Sequence, residues 1–193
     1  MLQDHAYNLD TQLFLDLNGS WGPGWDCFFY AVSGKAIWIP LYLLILFIIY
    51  RRHGWKTALA SLVFIGLSVV AVDQVCNLFK SGFEKLRPTH TPAIEHLVHT
   101  VNGYRGGLYG TLSAHAATTA CIAAFSALVI RCRAFTGLIP WWVMLVCYSR
   151  IYLGVHFPAD ILFGALAGIA TALAAFALFN WRPIRRIHQP HRS

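Results

Sequence analysis

The stretch "KTALASLVFIGLSVVAVDQVCNLFK", Lys56 to Lys80, decides how this chain folds. Between its two lysines lie 23 residues, of which only Asp73 carries a charge. A helix needs about 20 apolar residues to cross the hydrocarbon core of a bilayer, so the run reads as a membrane span. A second span follows from the 21 uncharged residues between Asp160 and Arg182. Three further runs are long enough if a polar residue lies at a membrane edge or in a protected cavity. They are Cys27 to Tyr50 around Lys35, Ser113 to Ile130 with His115, and Ala134 to Gly154 with Pro140 and Arg150. Composition agrees, with 57% hydrophobic and 12% charged residues among 193. The expected fold is all-α, a polytopic membrane helix bundle of about five transmembrane helices forming one domain over residues 1–193.

The first 26 residues are acidic and lack the basic start of a secretory signal. Leu9, Leu13, Phe14 and Leu17 recur at helical spacing beside Asp10 and Asp16. This predicts an N-terminal amphipathic helix, lying in the membrane interface or packed on the protein itself. Cys27, Cys76, Cys121, Cys132 and Cys147 have no paired spacing and read as packing residues.

Five spans place the connections alternately on two faces. One receives Arg51, Arg52, Lys56, Arg131 and Arg133, and then the basic tail 182–193 with Arg182, Arg185, Arg186 and Arg192. Positive charge marks that face as cytoplasmic, with the tail against anionic headgroups. The opposite, non-cytoplasmic face receives the acidic residues but also Lys80, Lys85, Arg87, Arg105 and Arg150. Cations on the disfavoured side need a second reason, and an anionic substrate supplies one. No basic stripe with interleaved aromatics is present, which argues against a nucleic-acid partner.

Three polar stretches share that outer face. In "KSGFEKLRP", residues 80–88, Lys80 and Arg87 would project from one side of a continuing helix and grip a phosphate, or else snorkel at the interface. In "GTLSAHAATT", residues 110–119, Ser113 is a natural N-cap that puts His115 in the first turn of a helix, whose free N–H groups favour anions. In "SRIYLGVHFPADIL", residues 149–162, Gly154 ends one helix and Pro158 starts the next. His156 then sits in the turn, with Asp160 placed to accept from one ring nitrogen and leave the other free as nucleophile or base. A structural Arg150–Asp160 pair leaves that histidine unexplained. Cations, a helix N-terminus and two histidines on one face fit phosphate ester hydrolysis without a metal or other cofactor.

Lys80-x6-Arg87-Pro88, Ser113-x-His115 and Ser149-Arg150-x5-His156-x3-Asp160 together resemble the three-part signature of the type 2 phosphatidic acid phosphatase superfamily, the lipid phosphate phosphatases. The second part departs from the usual Pro-Ser-Gly-His, standing here as Leu112-Ser113-Ala114-His115. The resemblance implies that Lys80, Arg87, Arg150 and Ser113 bind the phosphoryl group. His156 would form a phosphohistidine, Asp160 would orient it, and His115 would protonate the leaving group. By family analogy undecaprenyl diphosphate leads as substrate, with lipid A phosphate close behind and phosphatidylglycerophosphate and phosphatidic acid open. A haloperoxidase using a related site conflicts with the spans. A small transporter needs polar residues spread through the membrane, and an intramembrane serine protease leaves the cations unused. Oligomeric state is not legible.

Other residues stay outside the signature. Asp73 reads as a partner of Gln74, Asn77 or another helix, or as an intramembrane functional carboxylate. Tyr104 and Arg105 are candidate substrate contacts or members of a mobile loop. His96 and His99 have a spacing that permits a metal, without an accompanying cysteine or carboxylate pair. Trp141 and Trp142 suit an aromatic belt.

Overall fold

The computed structural model describes residues 2–181. The basic tail expected over residues 182–193 lies outside them. The described residues form six α-helices: α1 Leu2–Leu17, α2 Pro23–Val32, α3 Ile39–Phe83, α4 Ala114–Ile130, α5 Arg133–Tyr152 and α6 Pro158–Phe179. Among the described residues three stretches are long and apolar enough to cross a membrane: Ala36–Phe83, Arg133–Tyr152 and Pro158–Phe179. The helix α4 is a shorter apolar one. Outward faces are as apolar as the core. Leu43, Leu67 and Leu166 are more than half exposed, the arrangement expected where the surroundings are lipid.

The 45 residues of α3 fold back at Gly54, whose φ of 84° and ψ of 169° are not helical. Tyr42, Ile45 and Leu46 of the first limb line one cavity of about 190 Å³ together with Leu62, Ile65 and Gly66 of the second. A straight helix would hold Tyr42 and Gly66 about 36 Å apart, so the limbs lie side by side. The span expected over Cys27–Tyr50 therefore starts later, at Ala36. A turn at Ser33 and Gly34 separates it from α2, which packs on α5 instead.

The helix α4 sits at the centre, surrounded by α3, α5 and α6. Its sequence explains why: it is apolar all round and rich in alanine, with Ala116, Ala117, Cys121 and Phe125 buried. The helix α6 presents a stripe of small residues to it, Gly164, Gly168 and Ala172. A methyl group on Gly168 would lie 2.1 Å from the carbonyl oxygen of Ala117, and one on Gly164 would lie 2.6 Å from that of Ser113. Backbone-to-backbone approach of this kind is how apolar helices associate when hydrophobicity gives no preference for one another over lipid. Phe64, Phe125, Phe176 and Phe179 fill the half of the bundle away from the N-terminus of α4.

The helix α1 packs on the bundle. Phe14 is fully buried against Phe157 in a cluster with Ile94 and Ile151, whereas Leu9 is 70% exposed and Leu13 lies half out. Asn18 follows and ties the chain down. Its Nδ2 donates to the carbonyls of Ile151 (2.9 Å), Tyr152 (3.0 Å) and His99 (3.2 Å), while its Oδ1 accepts from His99 N (2.8 Å). Two of those carbonyls belong to the last turn of α5, where backbone acceptors lack helical partners. All five cysteines are free, and Asp73 accepts from Asn77 (3.2 Å), one of the partners expected. Of the two tryptophans, Trp141 is exposed, while Trp142 is buried against Trp38 and Tyr42 and belongs to the core.

Candidate active site

The start of α4, the end of α5, the start of α6 and the second limb of α3 meet at one end of the bundle, beneath the segment 84–112. Ser113 caps α4 as its sequence predicts, accepting from Ala116 N at 3.4 Å, and its own N–H donates to the carbonyl of Asp160. The absent proline and glycine of the usual motif do not disturb this start. At the end of α5, Gly154 N–H reaches Ile151 O and Val155 N–H reaches Arg150 O, the paired bonds of a Schellman C-cap. Pro158 opens α6 two residues after His156, also as expected.

Arg87 arrives by a different route from the continuing helix that its spacing suggests. The helix α3 ends at Phe83, Glu84 turns left-handed with φ of 47°, and the chain returns in extended form. Leu86 pairs with Tyr109 in a β-bridge, Arg87 N donates to Leu108 O (3.1 Å), and Gly110 N donates to Lys85 O (2.9 Å). The Arg87 side chain is then fixed by backbone oxygens: Nε donates to Tyr109 O (3.0 Å) and Nη1 to Val155 O (3.4 Å). Gly110 has to be glycine for this packing. A Cβ there would lie 2.7 Å from Arg87 Cγ.

Arg150 is 3% exposed, and its guanidinium donates to the hydroxyls of Ser33 and Tyr104. Burial pushes the Tyr104 phenol up, but the hydrogen bond and charge of Arg150 outweigh it and bring it below its ordinary value. Among the described residues Nε of Arg150 has no protein partner, a buried donor available to an anion. Lys80 donates to Asn77 Oδ1 (3.4 Å), and its charge acts on the same site as Arg87 and Arg150. His156 is 2% exposed. Its Nδ1 lies 3.2 Å from Gly110 O and 3.5 Å from Asp160 Oδ2, so the backbone carbonyl is the nearer acceptor. Burial, then the charges of Arg87, Arg150 and Lys80, hold this imidazole well below its ordinary pKa. It is therefore neutral at physiological pH, and with Nδ1–H given to Gly110, Nε2 keeps its lone pair. His115, half-buried in the first turn of α4, faces Arg150, His156, Lys35 and Arg87. It lines a cavity of about 200 Å³ with Ser33, Lys35, Trp38, Tyr42 and Val146.

The signature residues thus converge: Lys80, Arg87, Ser113, His115, Arg150, His156 and Asp160 share one end of the bundle, and Tyr104 joins them through Arg150. Arg105 does not. It binds Glu95 (2.7 Å) and the carbonyl of Thr89 and is half exposed beside a separate cavity. His99 bonds to Asp26 (3.0 Å), which also takes the Tyr152 hydroxyl. Sequence reasoning left two members unassigned. Lys85 bonds to Asp160 at 2.8 Å, and Asp10 accepts from Ala159 N (2.9 Å) at the start of α6. Only Lys85's cation on the outer face hinted at a role.

Buried cations around a neutral imidazole, with an unpaired guanidinium N–H, make a site for holding and attacking a phosphoryl group. The PAP2 superfamily model matches residues 57–184, and the chain belongs to that superfamily. It is a multi-pass membrane enzyme, a lipid phosphate phosphatase of the kind that works without a metal. Among its relatives, the lipid A 4'-phosphatase of Bacteroides thetaiotaomicron is 41% identical over 163 residues, covering 83% of this chain and 72% of that protein. The protein of the same name from Porphyromonas gingivalis is 38% identical over 167 residues, covering 86% and 71%. The crystal structure of Aquifex aeolicus LpxE superposes with a TM-score of 0.62 at 25% identity, covering 88% of this chain and 95% of that one. A phosphatidylglycerolphosphate phosphatase from Bacillus subtilis shares the fold, with a TM-score of 0.65 at 18% identity over 97% and 90% of the two chains.

Proposed function

We propose that this phosphatase removes the 4'-phosphate of lipid A at the outer surface of a bacterial inner membrane, through a phosphohistidine at His156. One observation carries the choice of lipid: the 41% identity with a relative of that name over most of both chains. It reverses the order expected from family analogy, in which undecaprenyl diphosphate led.

Five crossings follow from the two limbs of α3 with α4, α5 and α6, all in one catalytic domain. Arg51, Arg52, Lys56, Arg131 and Arg133 gather at the end remote from the site, which supports a cytoplasmic assignment for that end and for the C-terminus. The site then faces the periplasm. The exposed Leu9 and Leu13 of α1 lie at that level, so α1 both packs on the bundle and meets the interface.

In the reaction, Arg87, Arg150 and Lys80, with Ser113 and the N-terminus of α4, hold the phosphoryl oxygens and take up charge in the transition state. Nε2 of His156 attacks phosphorus while the bond from phosphorus to the sugar oxygen breaks. His115 gives that oxygen a proton. Water then attacks the phosphohistidine, loses its proton to His115, and phosphate leaves as the phosphorus–nitrogen bond breaks. Asp160 supports the His156 turn by accepting from Phe157 N (3.1 Å). Tyr104 holds Arg150, which gives it a part in substrate binding that Arg105, engaged with Glu95, does not share.

Purified enzyme is offered bisphosphorylated lipid A, undecaprenyl diphosphate, phosphatidylglycerophosphate and phosphatidic acid in mixed micelles. Mass spectrometry should show lipid A losing its 4'-phosphate fastest. His156→Ala should lower the rate by about 10³-fold or more while still showing a cooperative unfolding transition in detergent. Faster turnover of undecaprenyl diphosphate would overturn the choice of lipid, and an active His156→Ala would overturn the nucleophile.

A further inference from the structure

Lys85 lies between two signature residues, Lys80 and Arg87, and is not itself part of the pattern. Its Nζ is 2.8 Å from Asp160 Oδ1, 3.5 Å from Asp10 Oδ2 and 4.7 Å from the centre of the Phe157 ring. Its carbonyl oxygen accepts from Gly110 N at 2.9 Å. One residue therefore touches both groups that flank Nδ1 of His156: the Asp160 carboxylate through its ammonium, and the Gly110 peptide through its backbone. We infer that Lys85 is a positioning residue for the nucleophile, and that Asp10 of α1 holds it in place.

The physical reason is the burial of Asp160, which is 1% exposed. A carboxylate that deep, 3.5 Å from an imidazole, competes for the Nδ1 proton and favours the charged imidazolium unless another cation neutralises it. Lys85 does so. One oxygen of Asp160 goes to Lys85 and the other to Phe157 N, so Nδ1–H is left to Gly110 O. The cations facing His156 from elsewhere, Arg87, Arg150 and Lys80, are placed to meet phosphate. Lys85 is placed differently, its ammonium engaged by two carboxylates. Asp10 bridges Lys85 and the first turn of α6, which makes α1 a strap across the site.

This inference rests on His156 being the nucleophile, and two anions separate the two ideas. Vanadate takes up the five-coordinate geometry of phosphoryl transfer and bonds to the nucleophile, whereas inorganic phosphate reads the cationic clamp alone. Binding of each is measured by calorimetry on the full chain in detergent. Lys85→Met should weaken vanadate about tenfold, the size of a coupling between contacting charged groups, and leave phosphate within about twofold. It should lower kcat with KM unchanged, and Lys85→Arg should restore both. In an Asp160→Asn background Lys85→Met should cost nothing further. Equal losses for vanadate and phosphate, additive losses in that background, or no loss at all would each overturn the inference. If Lys85→Met does not fold, Asp10→Asn decides: a smaller loss confined to vanadate supports the strap, and unchanged vanadate binding overturns it. Wild-type vanadate affinity in His156→Ala would instead remove the nucleophile on which the inference stands.

Discussion

The two ends of the bundle use the same residue type in opposite ways. At the remote end Arg51, Arg52, Arg131 and Arg133 are exposed, and among the described residues only Arg52 reaches across the chain, to Ile130 O at 3.2 Å. At the site end Arg87 and Arg150 are buried, and each is fixed from two or more elements. An exposed arginine near a bilayer surface contributes through the membrane potential and lipid headgroups, with little demand on geometry. A buried one carries a desolvation cost that only partners or a bound anion offset. Arginine at the first end therefore reports topology, and arginine at the second reports chemistry.

Paired substitutions sharpen that contrast, and the largest effect is on catalysis. Arg150→Gln should lower kcat/KM by about 10³-fold, because it removes a buried cation and the orphan Nε donor from the transferring phosphoryl group. Arg131→Gln at the remote end should stay within about twofold. Arg150→Lys should recover only part of the loss, since an ammonium cannot span Ser33 and Tyr104 as a planar guanidinium does. Steady-state kinetics on a lipid phosphate checks all three. Similar losses at Arg131 and Arg150 would erase the difference between the ends.

A smaller effect concerns how the site end is held. Asn18→Leu keeps side-chain volume but leaves the buried carbonyl of Tyr152 without its Asn18 donor, and that of Ile151 with the Gly154 N–H alone. The cost should be about 2–3 kcal/mol, read as a lower unfolding temperature in detergent, with activity lost in parallel because those carbonyls close the helix that carries Arg150. At the remote end, where Gly54 and the pair Arg131 and Cys132 make short turns, Arg52 is the distant side chain that performs this service among the described residues.

What the sequence disclosed follows the same division. The long apolar helices, the Ser113 cap, the Gly154 stop and the Pro158 start were legible because each depends on neighbours within a turn or two, whereas the Cys27–Tyr50 span was drawn too early. The convergence of the signature residues was legible from their order and from the alternation of faces. The return of Arg87 was not, since it depends on a bridge between residues 86 and 109. Nor was the Lys85–Asp160 pair, 75 positions apart in the chain. The inward turn of Asp10 was not legible for a similar reason: it depends on the Lys85 ammonium and the α6 N-terminus, far along the chain, while Leu9 and Leu13 of the same helix stay out.

The smallest effect concerns the protonation of His156. Its folded-state pKa lies well below the ordinary value because of burial and then three cations, while the unfolded chain titrates near about 6.5. Between those two values the unfolded chain holds a proton that the folded one refuses. Stability is therefore fully present above the unfolded value and is lost as pH falls, at up to about 1.4 kcal/mol per pH unit for one proton. His156→Asn removes this dependence. The gap in unfolding temperature between wild type and variant should shrink steadily from pH 7.5 to pH 5. A constant gap would mean that the His156 imidazole charges freely when folded, and the neutral nucleophile would lose its physical basis.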